Sequence, residues 1–460
     1  MTEVIAGQSV TLLSQWYDFS GGTLTDLDAT PSIAVASVAT GATALAATTA
    51  GVTHPGTGSY GYAWTPASTL TPGLYLATWS GLKSGAAVTA TETITVTAPA
   101  SSAATNGPQD GVWYATREEI KAELDVKETA RSNSRIDRAL EDASRRVDGL
   151  MHRTFAPVVA TRYFDWPNFQ YAYPWRIWLD QWELAAVPSS VTSGGQTIPL
   201  TACNFEPVNS GPPYQSLELR RDQSYSFGVG STPQRDVAIT GLWGYRNTET
   251  TAGALVEVLD ATETGIDVDG PTSAAVGVGS IIRIDSERMI VTDRQQLATG
   301  QTLGTGGLTN QNNAVTVPVQ SGAAFAAGET ILIDSERMLI EDIAGNQLTV
   351  RRAWDGSTIA AHTAGATIYA PRTLVVTRGA LGTTADTHAN SSTVYRWTPP
   401  GGIRQLTIAE ALTDLLQGRS GYARTAGAGE NEREASGKGL ADLRDSAYQA
   451  YGRKSRQRVI

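Results

Sequence analysis

The chain has 460 residues, a formal net charge of −10, 46 glycines and a single cysteine, Cys203. Its length allows several domains of about 100–200 residues each; the lone cysteine excludes an intrachain disulfide, and four scattered histidines give zinc few ligands, so neither metal nor cofactor is expected. The acid excess argues against tight nucleic-acid binding, which depends on Lys and Arg neutralising phosphates; with no apolar run near the ~20 residues of a bilayer span and no secretory signal in Met1–Val10, the expectation is a soluble, cytoplasmically assembled protein with no membrane partner.

Residues 1–98 carry short β-type segments, among them Ser9–Trp16, Gly58–Pro66, Gly73–Gly81 and Ala86–Pro99, separated by Gly, Pro and Thr turns, which predicts a β-sandwich. Tyr60, Tyr62 and Trp64 alternate along one strand, as do Tyr75, Ala77 and Trp79 along another, so each set faces one side. They read as core and cross-strand pairs rather than a sugar-stacking platform. The run "GSYGYAWTP…PGLYLATWSG…TETITV" resembles the immunoglobulin-like domains of tailed-phage virion proteins. Residues 99–113 read as a linker, rich in Ser, Ala, Pro and Gly.

The next predicted domain, residues 114–253, opens with helices. Thr116 followed by Glu119 has the spacing of a capping box. From Ser134 to Phe155, Ile136, Leu140, Ala143, Val147 and Leu150 form a single apolar seam, and Glu141–Arg145 and Asp142–Arg146 are spaced for helix-surface ion pairs of about 0.3–0.5 kcal/mol each. Together with Arg138, these charges also become subunit-interface candidates in a ring. Strand patterning then runs from Val158 to Asn247, with aromatics concentrated between Tyr163 and Trp182, including Phe169 and Tyr171. Core or subunit interface is the favoured reading, with Trp175 and Trp178 the interface candidates.

Residues 254–397 contain a duplication in an unusual order. "GSIIRIDSERMIVTD" (Gly279–Asp293) and "GETILIDSERMLIED" (Gly328–Asp342) open two units, and only afterwards come two closing segments, Leu348–Arg372 and Leu374–Trp397. Each closing segment reads strand, Arg, Gly-containing turn, His, strand. One β module is therefore inserted within its own duplicate. Asp285 with Glu287, and Asp334 with Glu336, look like paired carboxylates, but a solvated four-residue turn is the expected explanation, and His362 and His388 at matching places mean repeated architecture. "DVDG" at Asp267–Gly270 reads as a turn rather than a calcium loop.

Residues 398–460 return to helix. Pro399–Gly418 has Ile408, Leu412, Leu415 and Leu416 on an apolar face; after a Gly-rich stretch, Leu440–Tyr451 carries Leu440, Leu443, Ala447, Tyr448 and Tyr451 on another. Arg453, Lys454, Arg456 and Arg458 follow without an acid, a candidate docking arm.

"YATREEIKAEL…IDRALEDASRRVDGLMHRTFAPVVATRYFDWP" and the late "LTIAEALTDLLQGR" resemble the head-to-tail connector, or adaptor, proteins of tailed bacteriophages. The resemblance covers about residues 113–247 and 399–460; the sandwich and the nested insert depart from the compact family pattern. It implies an α+β multidomain protein with a helical connector core, and a structural rather than enzymatic role in the virion neck. In that family a ring, usually of twelve copies, sits beneath the portal, continues the DNA channel without reading sequence, and passes to stopper or tail-completion proteins. Leu440, Leu443, Tyr448, Tyr451, Arg453, Lys454, Arg456 and Arg458 then become the expected portal contacts, and both β elaborations are expected to point outward. The alternatives weighed against this are a tail-side adhesin or carbohydrate-binding protein, and a glycosidase built on the paired carboxylates; no P-loop, HExxH or nucleophile elbow accompanies the latter.

Overall fold

The computed structural model describes residues 2–5, 9–18, 22–67, 70, 73–97, 108, 111–124, 133–167, 173–417, 425–426, 433–434 and 438–453. The chain divides into two compact units, residues 1–104 and 105–460.

Among the described residues the first unit has eight strands: β1 (Thr2–Ile5), β2 (Val10–Gln15), β3 (Ser32–Ser37), β4 (Thr43–Thr48), β5 (Val52–Gly56), β6 (Ser59–Trp64), β7 (Gly73–Lys83) and β8 (Ala86–Thr97). They form a five-stranded sheet, β1-β8-β7-β3-β4, and a three-stranded sheet, β2-β6-β5. Tyr60, Trp64, Tyr75 and Trp79 lie buried together with Leu12, Ile33 and Ile94. Alternation along β7 puts Tyr75, Ala77 and Trp79 inward and leaves Leu74 and Leu76 exposed, as period two requires.

The second unit begins with α1 (Arg117–Glu123) and α2 (Asn133–Met151). The capping box is formed: Thr116 Oγ1 accepts from Glu119 N at 3.2 Å, and Glu119 Oε2 accepts from Thr116 N at 3.0 Å. Strands β9 (Val158–Phe164), β10 (Arg176–Trp178), β11 (Ser190–Ser193), β12 (Gln196–Ile198), β13 (Cys203–Glu206), β14 (Ser216–Leu219) and β15 (Val237–Trp243) then build two small antiparallel sheets, β12-β11-β15-β9 and β10-β14-β13, around one core containing Trp166, Ile177, Phe227 and Trp243.

The duplicated region supplies β16 (Glu249–Ala254), β17 (Gly265–Asp267), α3 (Gly270–Ala275), β18 (Ile281–Ile284), β19 (Glu287–Thr302), β20 (Thr316–Pro318), β21 (Thr330–Ile333), β22 (Glu336–Ala344), β23 (Gln347–Arg351), β24 (Thr367–Thr377) and β25 (Thr393–Trp397). These strands share a ten-stranded sheet in the order β16-β25-β18-β19-β24-β21-β22-β23-β20, with β17 on β24. The outer module's core holds Ile282, Ile284, Met289 and Val291, and the nested module's holds Ile331, Ile333, Met338 and Ile340. Their hairpins share one register: Ile290 faces Thr377 and Gln295 faces Thr373 in the outer module, while Leu339 faces Arg351 and Ala344 faces Gln347 in the nested one, each with a bulge just before its aspartate, Asp293 or Asp342. The nested module closes this hairpin with Gly345–Asn346; at the corresponding place the outer strands run on as the two legs that carry the nested module.

Helices α4 (Gly401–Gln417) and α5 (Lys438–Tyr451) complete the fold. The expected helical connector core is not what forms. Among the described residues the protein is mostly β, with 41% in strands against 18% in five helices. The apolar seams of the helices pack chiefly against one another, and the outer module adds to their cover: Ile281 and Trp397 share a core with Met151, Phe155 and Ile403, and Val278, in the turn before β18, shares one with Ile136, Leu140 and Ala411. An amphipathic stripe specifies only that something apolar covers it, and here two strands of the outer module, through Ile281 and Trp397, provide part of the cover.

Candidate functional site

The two paired-carboxylate motifs form twin buried knots. Between β18 and β19 the turn is two residues, Asp285–Ser286, since Ile284 already pairs with Glu287; β21 and β22 repeat this with Ile333 and Glu336. Asp285 and Asp334 take positive φ, +49° and +52°, a conformation Asp tolerates. Glu287 then stands on the inward face with Met289 and Val291, and Glu336 with Met338 and Ile340, all fully buried. The expected solvated four-residue tip is thus corrected: the aspartates are exposed, the glutamates are not.

Each buried glutamate is held by an arginine fork. Arg378 Nε and Nη2 donate to Glu287 at 2.8 and 2.9 Å; Arg352 Nε and Nη2 donate to Glu336 at 2.6 Å each. Two backbone amides add to each carboxylate, Gly379 and Asp386 in the outer module, Ala353 and Ala360 in the nested one. His388 sits with Nδ1 2.8 Å from Asp285 and Nε2 2.9 Å from Glu287, and His362 repeats this at 2.6 Å from Asp334 and 3.0 Å from Glu336. The remaining N–H groups of both arginines reach main-chain carbonyls, so all five donors of each are used. Burial pushes each glutamate up, but the arginine fork, the histidine and the amides outweigh it and bring both down to about 2. A carboxylate held ionised, with its acceptor sites filled, is no general acid. These knots brace the modules.

Each knot rigidifies a tip. The turn after the arginine runs through left-handed residues at equivalent places, Gly379, Leu381 and Gly382 in one copy and Ala353, Asp355 and Gly356 in the other. Ser357 Oγ and Thr383 Oγ1 each accept the backbone N–H of the residue after the buried glutamate, at 3.0 Å. The outer tip is apolar: Leu381 packs into the core beneath the helices, and its carbonyl accepts Val159 N at 2.8 Å. The nested tip is charged: Asp355 meets Lys121 of α1 at 2.8 Å, beside a cavity of about 640 Å³.

The helices are joined by a second ionic cluster. Glu410 is buried on α4 and lies 2.7 Å from Arg146 of α2; Arg444 of α5 grips the same carboxylate through Nε and Nη2. Burial raises the Glu410 carboxyl, but the two guanidiniums win and hold it below the usual range. Asp142 is exposed, and Arg146 turns instead to Glu410 and to Asp414 at 3.0 Å, so the expected Asp142–Arg146 pair is replaced by a bridge between helices. Glu141 accepts Trp113 Nε1 at 2.6 Å and Arg145 donates to the Val112 carbonyl at 2.6 Å, while Arg138 is exposed. Trp175 and Trp178 are half-buried, Trp175 against the aromatic core with Arg221 4.8 Å from its ring. Leu440, Leu443, Tyr448 and Tyr451 pack inward on α2 and α4, and Arg453 N donates to the Met151 carbonyl. Lys454, Arg456, Arg458, Phe169, Tyr171 and most of the expected linker lie outside the described residues.

Asp269, in the motif weighed for calcium, caps α3 by accepting from Thr272 N at 2.9 Å. Burial pushes the Cys203 thiol up to about 11, which makes it a poor nucleophile.

No protein-family model matches this chain, and no curated protein matches it. Among solved structures, part of it is similar to the endo-β-1,4-mannanase from Thermotoga petrophila, at 16% identity over 21% of this chain and 17% of that enzyme, with a TM-score of 0.16. So faint a likeness bears on neither fold nor activity.

Proposed function

We propose that this chain is a structural protein of a tailed-phage virion, a head-to-tail connector whose copies close into a ring between portal and tail-completion proteins and leave a passage for duplex DNA. The observation that carries the reading is the union of the two stretches bearing the connector resemblance. Separated by the whole β insert, α2 and α4–α5 nevertheless pack together and share the Arg146–Glu410–Arg444 cluster. Rings arise when one surface of a subunit meets a different surface of the next and the rotation closes; half-buried Trp175 and Trp178 and exposed Arg138 and Asp142 offer candidate contacts. An acidic ring lets DNA slide rather than grip it.

The test is the particle mass of the purified chain, alone and with its portal. A closed ring of about twelve copies is expected from the resemblance and from ring closure; a monomer in both conditions, or a trimer of the kind adhesins form, would sink the reading. Removal of residues 452–460 is expected to abolish portal attachment with the fold intact.

A further inference from the structure

The geometry points to an oxyanion site of the phosphate class in the cleft between α1 and the nested module, the cavity of about 640 Å³ beside Asp355. Two cation triads face this cavity. In the first, Arg396 and Arg404 converge on a single oxygen of Glu119, at 3.0 and 2.7 Å. In the second, Lys121 and Arg337 share Asp355, at 2.8 and 2.9 Å. Each triad sets two cations against one carboxylate and so keeps one positive charge uncompensated.

The rest of the lining gives back only part of that excess. Arg117 is matched by Asp137, buried behind the cleft, and lies 3.7 Å from Asp293; Arg294 lies 3.7 Å from Glu118. Among the described residues, and with Asp137 included, the acids around the cleft number one fewer than the cations, in a chain that is otherwise strongly acidic. The Nε donors of Arg294 and Arg404 have no acceptor among the described residues. Arg337 and Arg404 are nearly half exposed, so both can turn toward a ligand, whereas Asp355 is fixed in a left-handed turn between Ala353 and Gly356.

Guanidinium and ammonium groups crowded around too few carboxylates repel one another, and an entering oxyanion relieves that repulsion while taking up fork-like hydrogen bonds. A tetrahedral oxyanion presents acceptors in several directions; a planar carboxylate has two oxygens. The site stands independently of the connector reading, because it depends only on the cleft and its charges.

Calorimetric titration of the full chain with inorganic phosphate at low salt is expected to give a Kd of about 1 mM or tighter, weakening as salt screens the cleft. Arg404→Gln is expected to weaken binding about tenfold, the scale of one charge-assisted contact. Glu119→Gln keeps an oxygen for the Thr116 amide and frees both arginines, so it is expected to tighten binding several-fold. Opposite signs from the two variants cannot come from misfolding. Dimethyl phosphate separates sources: binding as tight as that of inorganic phosphate assigns the site to nucleic-acid backbone diesters, weaker binding to a free phosphate or monoester. No binding of either probe, or equal phosphate affinity in wild type and both variants, overturns the site.

Discussion

The outer and nested modules repeat each other in register, knot and turn, yet they meet the rest of their unit through different chemistry. Both bury a glutamate under an arginine fork, and both project a tip from the turn that follows. The outer tip ends in Leu381 and enters the core under the helices; the nested tip ends in Asp355 and meets Lys121 across a polar cleft. The shared knot therefore specifies the shape of the turn, while one residue, Leu381 or Asp355, decides what the turn can dock against.

If the knots do the same work, removing either glutamate should cost about the same locally. Glu287→Ala and Glu336→Ala each strand a buried arginine and are expected to lose about 3–5 kcal/mol. The difference should lie in reach. The outer module shares its core with α2 and α4, so Glu287→Ala should destabilise the whole second unit; Glu336→Ala should open only the nested module. Hydrogen exchange with a denaturant titration separates the two, and a uniform loss of protection in both variants would contradict the division of roles.

Acid probes both knots at once. Each glutamate moves from an ordinary 4.5 to about 2 on folding, so the unfolded chain takes up protons first as the pH falls. The stabilisation, on the order of 3 kcal/mol per glutamate, is complete above about pH 4.5 and disappears between about pH 4.5 and pH 2. Glu287→Gln with Glu336→Gln should lower stability at neutral pH and flatten this acid slope; an unchanged slope in denaturant melts would show that other carboxylates carry it.

Register equivalence also makes the nested module removable. Replacing Gln296–Arg372 with Gly-Asn reproduces in the outer module the turn that joins Ala344 to Gln347. Arg372 leaves together with its partner Glu329, and Lys121, which loses Asp355, is uncovered to solvent as the nested wall of the cleft goes. The shortened chain is expected to fold with a loss within about 2 kcal/mol. Failure of α2 and α4 to regain hydrogen-exchange protection would mean that the nested module supports the helices.

The repeated phrase made the order of the duplication legible, because "IDSERM" marks both openings and Arg and His recur in both closings. Burial of the glutamates was not read from it, although a signal was present: counting back by two from Met289 or Met338 lands on Glu287 or Glu336 and puts the acid on the core side. The polar letters Asp-Ser-Glu-Arg suggested a longer turn than the two residues that form. The Thr116–Glu119 capping box was readable because its partners are three residues apart; the Arg146–Glu410 bridge was not, because 264 residues separate its ends. The helical seam was visible, but a seam does not say whether a helix or a sheet will cover it.

The smallest expected effect addresses the tips directly. Asp355→Ala removes ion pairs with Lys121 and Arg337 that are only partly shielded, and is expected to cost about 1 kcal/mol at low salt and less as salt screens them. Leu381→Ala removes half-buried apolar surface and should cost about 1–2 kcal/mol with little dependence on salt. Both residues hold positive φ, which Ala adopts no more easily than Leu but less easily than Asp, so Asp355→Ala adds a backbone strain that salt does not change, and the contrast rests on the salt dependence alone. Denaturant melts of the two variants at low and high salt measure it. Equal salt dependence would mean that the two tips dock by the same chemistry, and the distinction between an apolar and an ionic turn would fail.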